Sequence, residues 1–176
     1  MAIDRRHKKT EIAIQNAFVK LILEEGYESL KIQDLIEEAN VNKSTFYLHY
    51  YSLLGVGYAL EDQLISELLN VWNATAKNIE ERLKSLLALL SKEKKRFIAI
   101  FSIGDGHFYK KAEAVFSPLI NFENSNKENR IFYQSFVFGG IYGVLRQFVL
   151  SSTRIDKEKF VSDILKIVEN TTKKVD

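Results

Sequence analysis

The stretch from Ile32 to Tyr50, IQDLIEEANVNKSTFYLHY, decides the fold of this chain. Apolar residues recur at helical spacing as far as Ala39 and predict a short helix with one buried face. Asn40 suits a turn, because asparagine tolerates a left-handed backbone, and Asn42 suits the N-cap of a second helix. Two short helices joined by a tight turn are the layout of a helix-turn-helix, which places its second helix in the major groove of DNA.

The second helix of this pair divides into an apolar and a polar set. Val41, Phe46 and Tyr50 are expected to pack against the first helix. Lysine can neutralise phosphate or reach a guanine edge, and hydroxyl groups can reach phosphate oxygens, so the polar set is expected to face outward and to contact DNA. The predicted DNA-contacting residues are Lys43, Ser44, Thr45, Tyr47 and His49. On periodicity alone, an ordinary helical hairpin with a polar face is the alternative.

A longer pattern, over residues 14 to 50, resembles the N-terminal domain of the tetracycline-repressor (TetR) family. Its most specific part is the string T-F-Y-x-H-Y, which follows A-N-V-N after the two residues Lys43 and Ser44. The resemblance implies an all-α protein, with a DNA-binding domain over residues 1–51 and a helical effector-binding and dimerisation domain over residues 52–176. The other positions that carry it are Ile14, Ala17, Phe18, Leu21, Ile22, Gly26, Tyr27, Ile32, Asp34 and Leu35.

The function implied by this resemblance is ligand-responsive transcriptional regulation, as a repressor. A homodimer would bind a pseudo-palindromic operator in double-stranded DNA, because two recognition helices related by a two-fold axis read two half-sites. The effector would be a small molecule that the sequence does not identify, and no cofactor is expected.

Composition agrees with a helical protein of a reducing compartment. Proline occurs once, cysteine is absent, and the formal net charge is only +2. No secretory signal or membrane-spanning run is visible, so a cytoplasmic location is expected. A basic arm is predicted before the first helix, formed by Arg5, Arg6, His7, Lys8 and Lys9. That arm either contacts phosphate or is a solvated chain end.

The whole chain is predicted to form nine helices and no strand. The first is expected from Thr10 to Glu25, the fourth from Leu53 to Thr75, the seventh from Tyr109 to Leu119 and the eighth from Glu128 to Ser151. The ninth is expected to begin after Asp156, and Gly104 to Gly106 to form a loop.

Two further sets of residues follow from the implied second domain. The aromatic residues expected at the effector site are Trp72, Phe97, Phe101 and Tyr133, although aromatic residues at helical spacing also build ordinary cores. Glycine inside a helix costs about 1 kcal/mol relative to alanine, so a glycine-rich helix is expected where backbones approach closely. The residues expected at a dimer interface are Gly139, Gly140, Gly143, Phe160 and Ile164; close packing within one subunit is the alternative.

An enzyme is not expected, because the sequence holds no phosphate-binding glycine loop and no nucleophile motif. None of the three histidines lies at metal-ligand spacing from another histidine or from a carboxylate pair, so no metal site is expected either. A second candidate is a coregulator of the same fold with weak or lost DNA binding. It rests on Leu53, which replaces a phosphate-contacting lysine of the resembled family, and on Gly55 and Gly57, which would soften the following turn.

Overall fold

The computed structural model describes residues 2–74, 78–120, 127–153 and 155–172. Within these residues the protein is entirely helical and has no strand, which confirms the predicted all-α class. The nine α-helices are α1 (Ala2–Glu25), α2 (Ile32–Glu38), α3 (Lys43–His49), α4 (Leu53–Ala74), α5 (Ile79–Lys92), α6 (Lys94–Ile103), α7 (His107–Phe116), α8 (Lys127–Leu150) and α9 (Lys157–Thr172). None of the described helices is long and apolar enough to cross a membrane.

These helices form two compact units. The first comprises residues 1–64 and 94–105, and the second comprises residues 65–93 and 106–176. The first unit therefore contains α1, α2, α3, the first half of α4, and α6. The second contains the rest of α4 together with α5, α7, α8 and α9. The expected functional division after residue 51 remains a prediction.

The first helix begins earlier than the sequence suggested. Thr10 does not cap α1, because the helix already runs from Ala2 and the Thr10 hydroxyl donates a hydrogen bond to the carbonyl oxygen of Arg6, 3.1 Å away. No proline or glycine interrupts residues 2–9, so nothing in this stretch opposes the helical backbone. The basic residues expected in an arm are therefore part of α1.

The seventh helix also differs from its prediction at both ends. It begins at His107, after Gly106 adopts a left-handed backbone with φ of 72°. It ends at Phe116, and the short 3₁₀ turn Ser117–Leu119 follows. Pro118 accounts for this end, because proline has no N–H with which to continue the helical hydrogen bonds.

The core of the first unit is closely packed where α4 passes α1 and α6. Gly57 lies in α4, and a Cβ atom at this position would be 2.7 Å from Cδ1 of Ile103 and 3.5 Å from Cζ of Phe18. Gly57 thus permits a close approach of helices and does not soften a turn, contrary to the prediction. Gly55 is also within α4, where Ser52 Oγ accepts a hydrogen bond from its N–H at 3.0 Å. The buried residues of this unit include Ile14, Phe18, Leu35, Phe46, Val56, Leu60 and Phe97.

The second unit has its own core, in which α5 packs against α9. The apolar face of α5 is buried, and its residues Leu83, Leu86, Leu87 and Leu90 have the spacing of an amphipathic helix. Val161 and Ile164 of α9 are buried as well. A second cluster joins α7 to α8 through the rings of Tyr109, Phe138 and Tyr142, whose centroids lie 4.9 to 5.9 Å apart.

Candidate nucleic-acid interface

The turn between α2 and α3 has the backbone that its sequence predicted. Asn40 adopts a left-handed conformation, with φ of 51°. Oδ1 of Asn42 accepts hydrogen bonds from the N–H of Thr45 and from the hydroxyl of Ser44, both at 2.7 Å. Asn42 therefore caps α3, and the second asparagine of the A-N-V-N string fixes where the helix begins.

The inner face of α3 holds the helix against the first unit. Phe46 is completely buried, and Tyr50, the residue directly after the helix, is also buried. The side-chain amide of Gln15 in α1 donates a hydrogen bond to the Tyr50 hydroxyl oxygen at 3.1 Å. Burial raises the pKa of Tyr50, so its phenol stays neutral. These contacts confirm the expected packing of Phe46 and Tyr50.

The outer face of α3 presents a small polar surface. Lys43, Ser44 and Tyr47 are exposed, as predicted, and Thr45 is half-buried. Leu48 is 75% exposed on this side, although its apolar character had not suggested a surface position. A lysine, two hydroxyl groups and an apolar side chain on one exposed face can contact phosphate, base edges and the thymine methyl group.

His49 does not face outward, and the expectation that it would was wrong. Its side chain is only 3% exposed, and its Nδ1 atom lies 3.7 Å from Oε1 of Glu11. Its ring also packs against that of His7, with centroids 3.9 Å apart. The reason is helical geometry: His49 follows the buried Phe46 by three residues, so both lie on the same side of α3.

The fold brings together three side chains that the sequence separates. His7, Glu11 and His49 have possible metal-ligand atoms within 4.8 Å of one another. The expectation of no metal site rested on spacing along the chain alone, and it stays a prediction beside this group of possible ligands. The separation of four residues between His7 and Glu11 was a visible signal, since such residues share one face of a helix.

Basic side chains near the start of α1 add positive charge to the first unit. Arg5, Arg6, Lys8 and Lys9 are all exposed. Further along the helix, Lys20 forms an ion pair with Glu38 of α2, with 2.8 Å between Nζ and Oε2. The hydrogen bond from Lys20 to Glu38 raises the pKa of the lysine. This pair therefore joins α1 to the first helix of the helix-turn-helix.

The starts of α2 and α4 are each held by a polar side chain that accepts a backbone hydrogen bond. Lys31 makes no side-chain capping bond at the start of α2, but its N–H donates to Oδ2 of Asp34 at 3.2 Å. Leu53 is the first residue of α4 and is half-buried, with Ser52 capping the helix through its hydroxyl oxygen. Both helices therefore begin where the sequence predicted.

The four aromatic residues expected at an effector site are divided between the two units. Phe97 and Phe101 belong to α6 in the first unit, where their ring centroids lie 6.1 Å apart and Phe97 is buried. Trp72 and Tyr133 belong to the second unit. Trp72 packs edge-on against Phe116, and the Arg82 guanidinium lies 4.8 Å from the centroid of its ring system.

The residues expected at a dimer interface also differ in their surroundings. An added Cβ at Gly140 or Gly143 would meet nothing within 4 Å, whereas one at Gly139 would lie 3.5 Å from the Tyr109 hydroxyl. Ile164 is buried within its own unit, and Phe160 packs on Phe148 with ring centroids 5.5 Å apart.

Residues 14–52 match the family described as bacterial regulatory proteins, tetR family. The N-terminal segment belongs to the TetR family. This segment contains α2, α3 and the second half of α1, so the helix-turn-helix described above is the TetR-family DNA-binding element. Proteins of this family are transcription regulators and not enzymes, and the chain has the fold of a DNA-binding transcription regulator. A comparison with curated proteins gave no match.

Solved structures extend the similarity of the fold to nearly the whole chain. A TetR transcriptional regulator from Streptococcus agalactiae 2603V is 24% identical and covers 96% of this chain and 98% of its own, with a TM-score of 0.74. A TerR/AcrR-family regulator from Aquifex aeolicus VF5 is 19% identical and covers 90% of this chain and 99% of its own, with a TM-score of 0.67. The fatty acid degradation regulator FadR from Bacillus halodurans is 18% identical, with coverages of 90% and 94% and a TM-score of 0.65. The TetR-family fold thus includes the helices beyond residue 52.

Proposed function

We propose that this protein binds a pseudo-palindromic DNA operator as a homodimer, represses transcription and is released by a small molecule. The observation that carries the DNA-binding part is the outer face of α3. Lys43, Ser44 and Tyr47 are exposed on a helix whose other face is fixed by the buried Phe46 and Tyr50. A rigid helix with a polar outer face suits the major groove. Acting on DNA, the protein would work in the cytoplasm.

Each proposed contact has a distinct role. Lys43 would neutralise a phosphate or donate to a guanine edge, and Ser44, Thr45 and Tyr47 would bond phosphate oxygens or bases. His49 is left out of the proposed contacts because its side chain is only 3% exposed. The exposed basic side chains near the start of α1 would contribute phosphate contacts that do not depend on base sequence.

Selection from a pool of random duplexes tests DNA binding. At low salt, the wild-type protein should enrich an inverted repeat, because each subunit would read one half-site. A pool that remains unenriched would contradict operator binding and favour the coregulator, which the leucine at position 53 also favours. Placing a selected duplex upstream of a reporter gene would then test repression. A fall in reporter expression supports it, and a rise would indicate an activator.

Dimerisation is proposed to use the exposed face of α8. Phe132 and Phe136 are 73% and 69% exposed, and Gly140 and Gly143 continue the same helical face. Large exposed aromatic residues in one stripe indicate a surface that another molecule covers. The two glycines would let a second copy of α8 approach closely, since nothing in the described part of the chain lies within 4 Å of their added Cβ. Ile164 and Phe160 would support α8 from beneath.

Substitution of Gly140 separates this proposal from packing within one subunit. At Gly140 an added Cβ has no neighbour within 4 Å among the described residues, so Gly140→Leu should leave the fold and helical content of the subunit unchanged. A partner helix in contact would be pushed away by overpacking. In sedimentation, the wild type should be a dimer and the variant a monomer. The control is Lys110→Leu, which introduces a leucine at an exposed position of α7. This variant should remain dimeric. A monomeric wild type at micromolar concentration would contradict the proposal.

The effector is proposed to bind in the second unit beside Trp72. Arg82 and Phe116 lie against this indole, so the site would suit an apolar molecule with a negative charge. Trp72 is the sole tryptophan of the chain, so its fluorescence reports on this position alone. Titration with fatty acids and aromatic carboxylates should give a saturable change for one class, together with release of the selected duplex. Ligands that release the duplex without affecting Trp72 fluorescence would place the effector elsewhere.

A further inference from the structure

The His7–Glu11–His49 cluster joins the start of α1 to the end of α3. Oε1 of Glu11 lies 3.3 Å from Nδ1 of His7 and 3.7 Å from Nδ1 of His49. The two imidazole rings lie side by side with centroids 3.9 Å apart. Two imidazole nitrogens therefore converge on one carboxylate oxygen, all within the first compact unit.

His49 supplies the observation that points to a ligand. Its side chain is 3% exposed, and its Nδ1 atom makes no hydrogen bond with any residue that the structure describes. A buried polar atom without a partner costs free energy, and in folded proteins such atoms usually find a partner. The 3.7 Å between His49 Nδ1 and Glu11 is too long for a hydrogen bond. The buried lone pair or N–H of His49 is thus directed into a group of metal-ligating atoms.

The packing around the cluster holds these side chains in place. His7, Glu11 and Gln15 follow one another at intervals of four residues, so they form one ridge along α1. Gln15 is fixed by its hydrogen bond to Tyr50, and Tyr50 directly follows His49 in the chain. The ridge of α1 is therefore aligned with the end of α3, and the cluster is a consequence of how these two helices pack.

We propose that His7, Glu11 and His49 form a binding site for a divalent transition-metal ion, with Zn²⁺ as the best match. Two imidazoles and one carboxylate, with water as a fourth ligand, are a typical zinc set. Ligands 2.0–2.1 Å from a tetrahedral ion are about 3.3 Å apart. The separation of 3.3 Å between His7 and Glu11 matches this value, and His49, at 3.7 Å from Glu11, would have to move closer. All the possible ligand atoms lie within 4.8 Å of one another, so the ion would draw the three side chains together. His7 is exposed and would give the ion access from solvent.

Bound zinc would act on the DNA-reading unit. It would tie the first turns of α1 to the last turn of α3, the helix that carries Lys43 and Tyr47. Because the three ligands come together only in the folded unit, binding of the ion would favour the folded state. The exposed Arg6 and Lys8, which flank His7 in sequence, would repel a cation and keep the affinity moderate.

Calorimetric titration of the untagged, full-length protein with Zn²⁺ alone tests this proposal. We expect one ion per subunit, with a dissociation constant on the order of micromolar for an open site of three ligands. Co²⁺ bound at the same site should give the intense visible absorption of a tetrahedral complex. Zinc should also raise the melting temperature of the protein, since it binds the folded state.

Two variants and one control assign the ion to the cluster. His7→Ala changes an exposed side chain and Glu11→Gln keeps the size of its residue, so neither should unfold the protein. Each should weaken zinc binding about tenfold or more and abolish the zinc-dependent rise in melting temperature. The control is His107→Ala. His107 is the third histidine of the chain and belongs to the second unit, so this variant should bind zinc as the wild type does.

Three results would overturn the proposal. The first is a wild type that binds no zinc at concentrations up to about 100 micromolar, far above the expected dissociation constant. The second is a His7→Ala variant that binds zinc as tightly as the wild type, which would place the ion elsewhere. The third is a melting temperature that changes with pH and not with zinc, which would make the cluster a proton-sharing histidine pair. None of these measurements depends on DNA binding.

Discussion

Gly57 allows a sharp test of how the first unit is packed. The substitution Gly57→Leu places a Cβ 2.7 Å from Cδ1 of Ile103 and 3.5 Å from Cζ of Phe18. A distance below 3.0 Å requires a neighbour to move. The end of the Ile103 side chain can shift for a single added methyl group, but the further atoms of a leucine would have to displace α6 or Phe18.

Two opposing free-energy terms determine the result. Removing a glycine from the helix interior stabilises the helix by about 1 kcal/mol. Forcing a large side chain into a closely packed contact costs about 1–3 kcal/mol, occasionally more. Both effects are present in Gly57→Leu, and the cost of overpacking should exceed the gain in helix stability. At Gly55, two residues away, an added Cβ meets only Ser52 Oγ at 3.5 Å, an ordinary contact, so the helix term should dominate.

Urea unfolding of the two variants measures the difference. The free energy of unfolding should fall for Gly57→Leu and should stay level or rise for Gly55→Leu, giving a gap of about 2 kcal/mol. The m-values should be equal, since both variants expose the same chain on unfolding. Equal stability of the two variants would refute the close approach of α4 to α6, and with it the role assigned to Gly57.

Two further substitutions probe the helix-turn-helix and its junction. Asn42→Ala removes the cap of α3 and should lower the free energy of unfolding by about 1 kcal/mol; an unchanged denaturation midpoint would show that the bonds from Thr45 and Ser44 contribute nothing. Leu53→Lys adds a cation at the start of α4, where the leucine is half-buried. It should tighten binding to any duplex and steepen the salt dependence by about one unit per subunit. An unchanged slope with an unchanged melting temperature would mean that position 53 lies away from the DNA backbone.

The sequence predicted the parts of this fold that depend on neighbouring residues. Asn40 and Asn42 fix the turn and the start of α3 through their own backbone and side-chain preferences, so both could be predicted from their position alone. The glycine-flanked loop before α7 follows from the same kind of local chemistry, and Gly104 and Gly106 do adopt positive φ.

The errors arose where the outcome depends on contacts between distant residues. His49 was expected to face outward because it is polar, but its spacing of three from Phe46 places it on the buried side of α3. Whether that side meets solvent or α1 depends on tertiary packing. Gly57 was interpreted as a flexible position for a similar reason, since Ile103 is remote in sequence. The His7–Glu11–His49 cluster needed the three-dimensional arrangement to be found at all.

The central claim is that the outer face of α3 binds DNA. Titration of a selected duplex over a range of salt concentrations, with wild type and Lys43→Ala, tests it most directly. The variant should bind more weakly, and its salt dependence should be shallower by about one unit per subunit if Lys43 contacts phosphate. Lys110→Ala, an exposed lysine of the second unit, serves as the matched control and should bind as the wild type does. Equal affinity and equal salt slope for Lys43→Ala and wild type would contradict the claim.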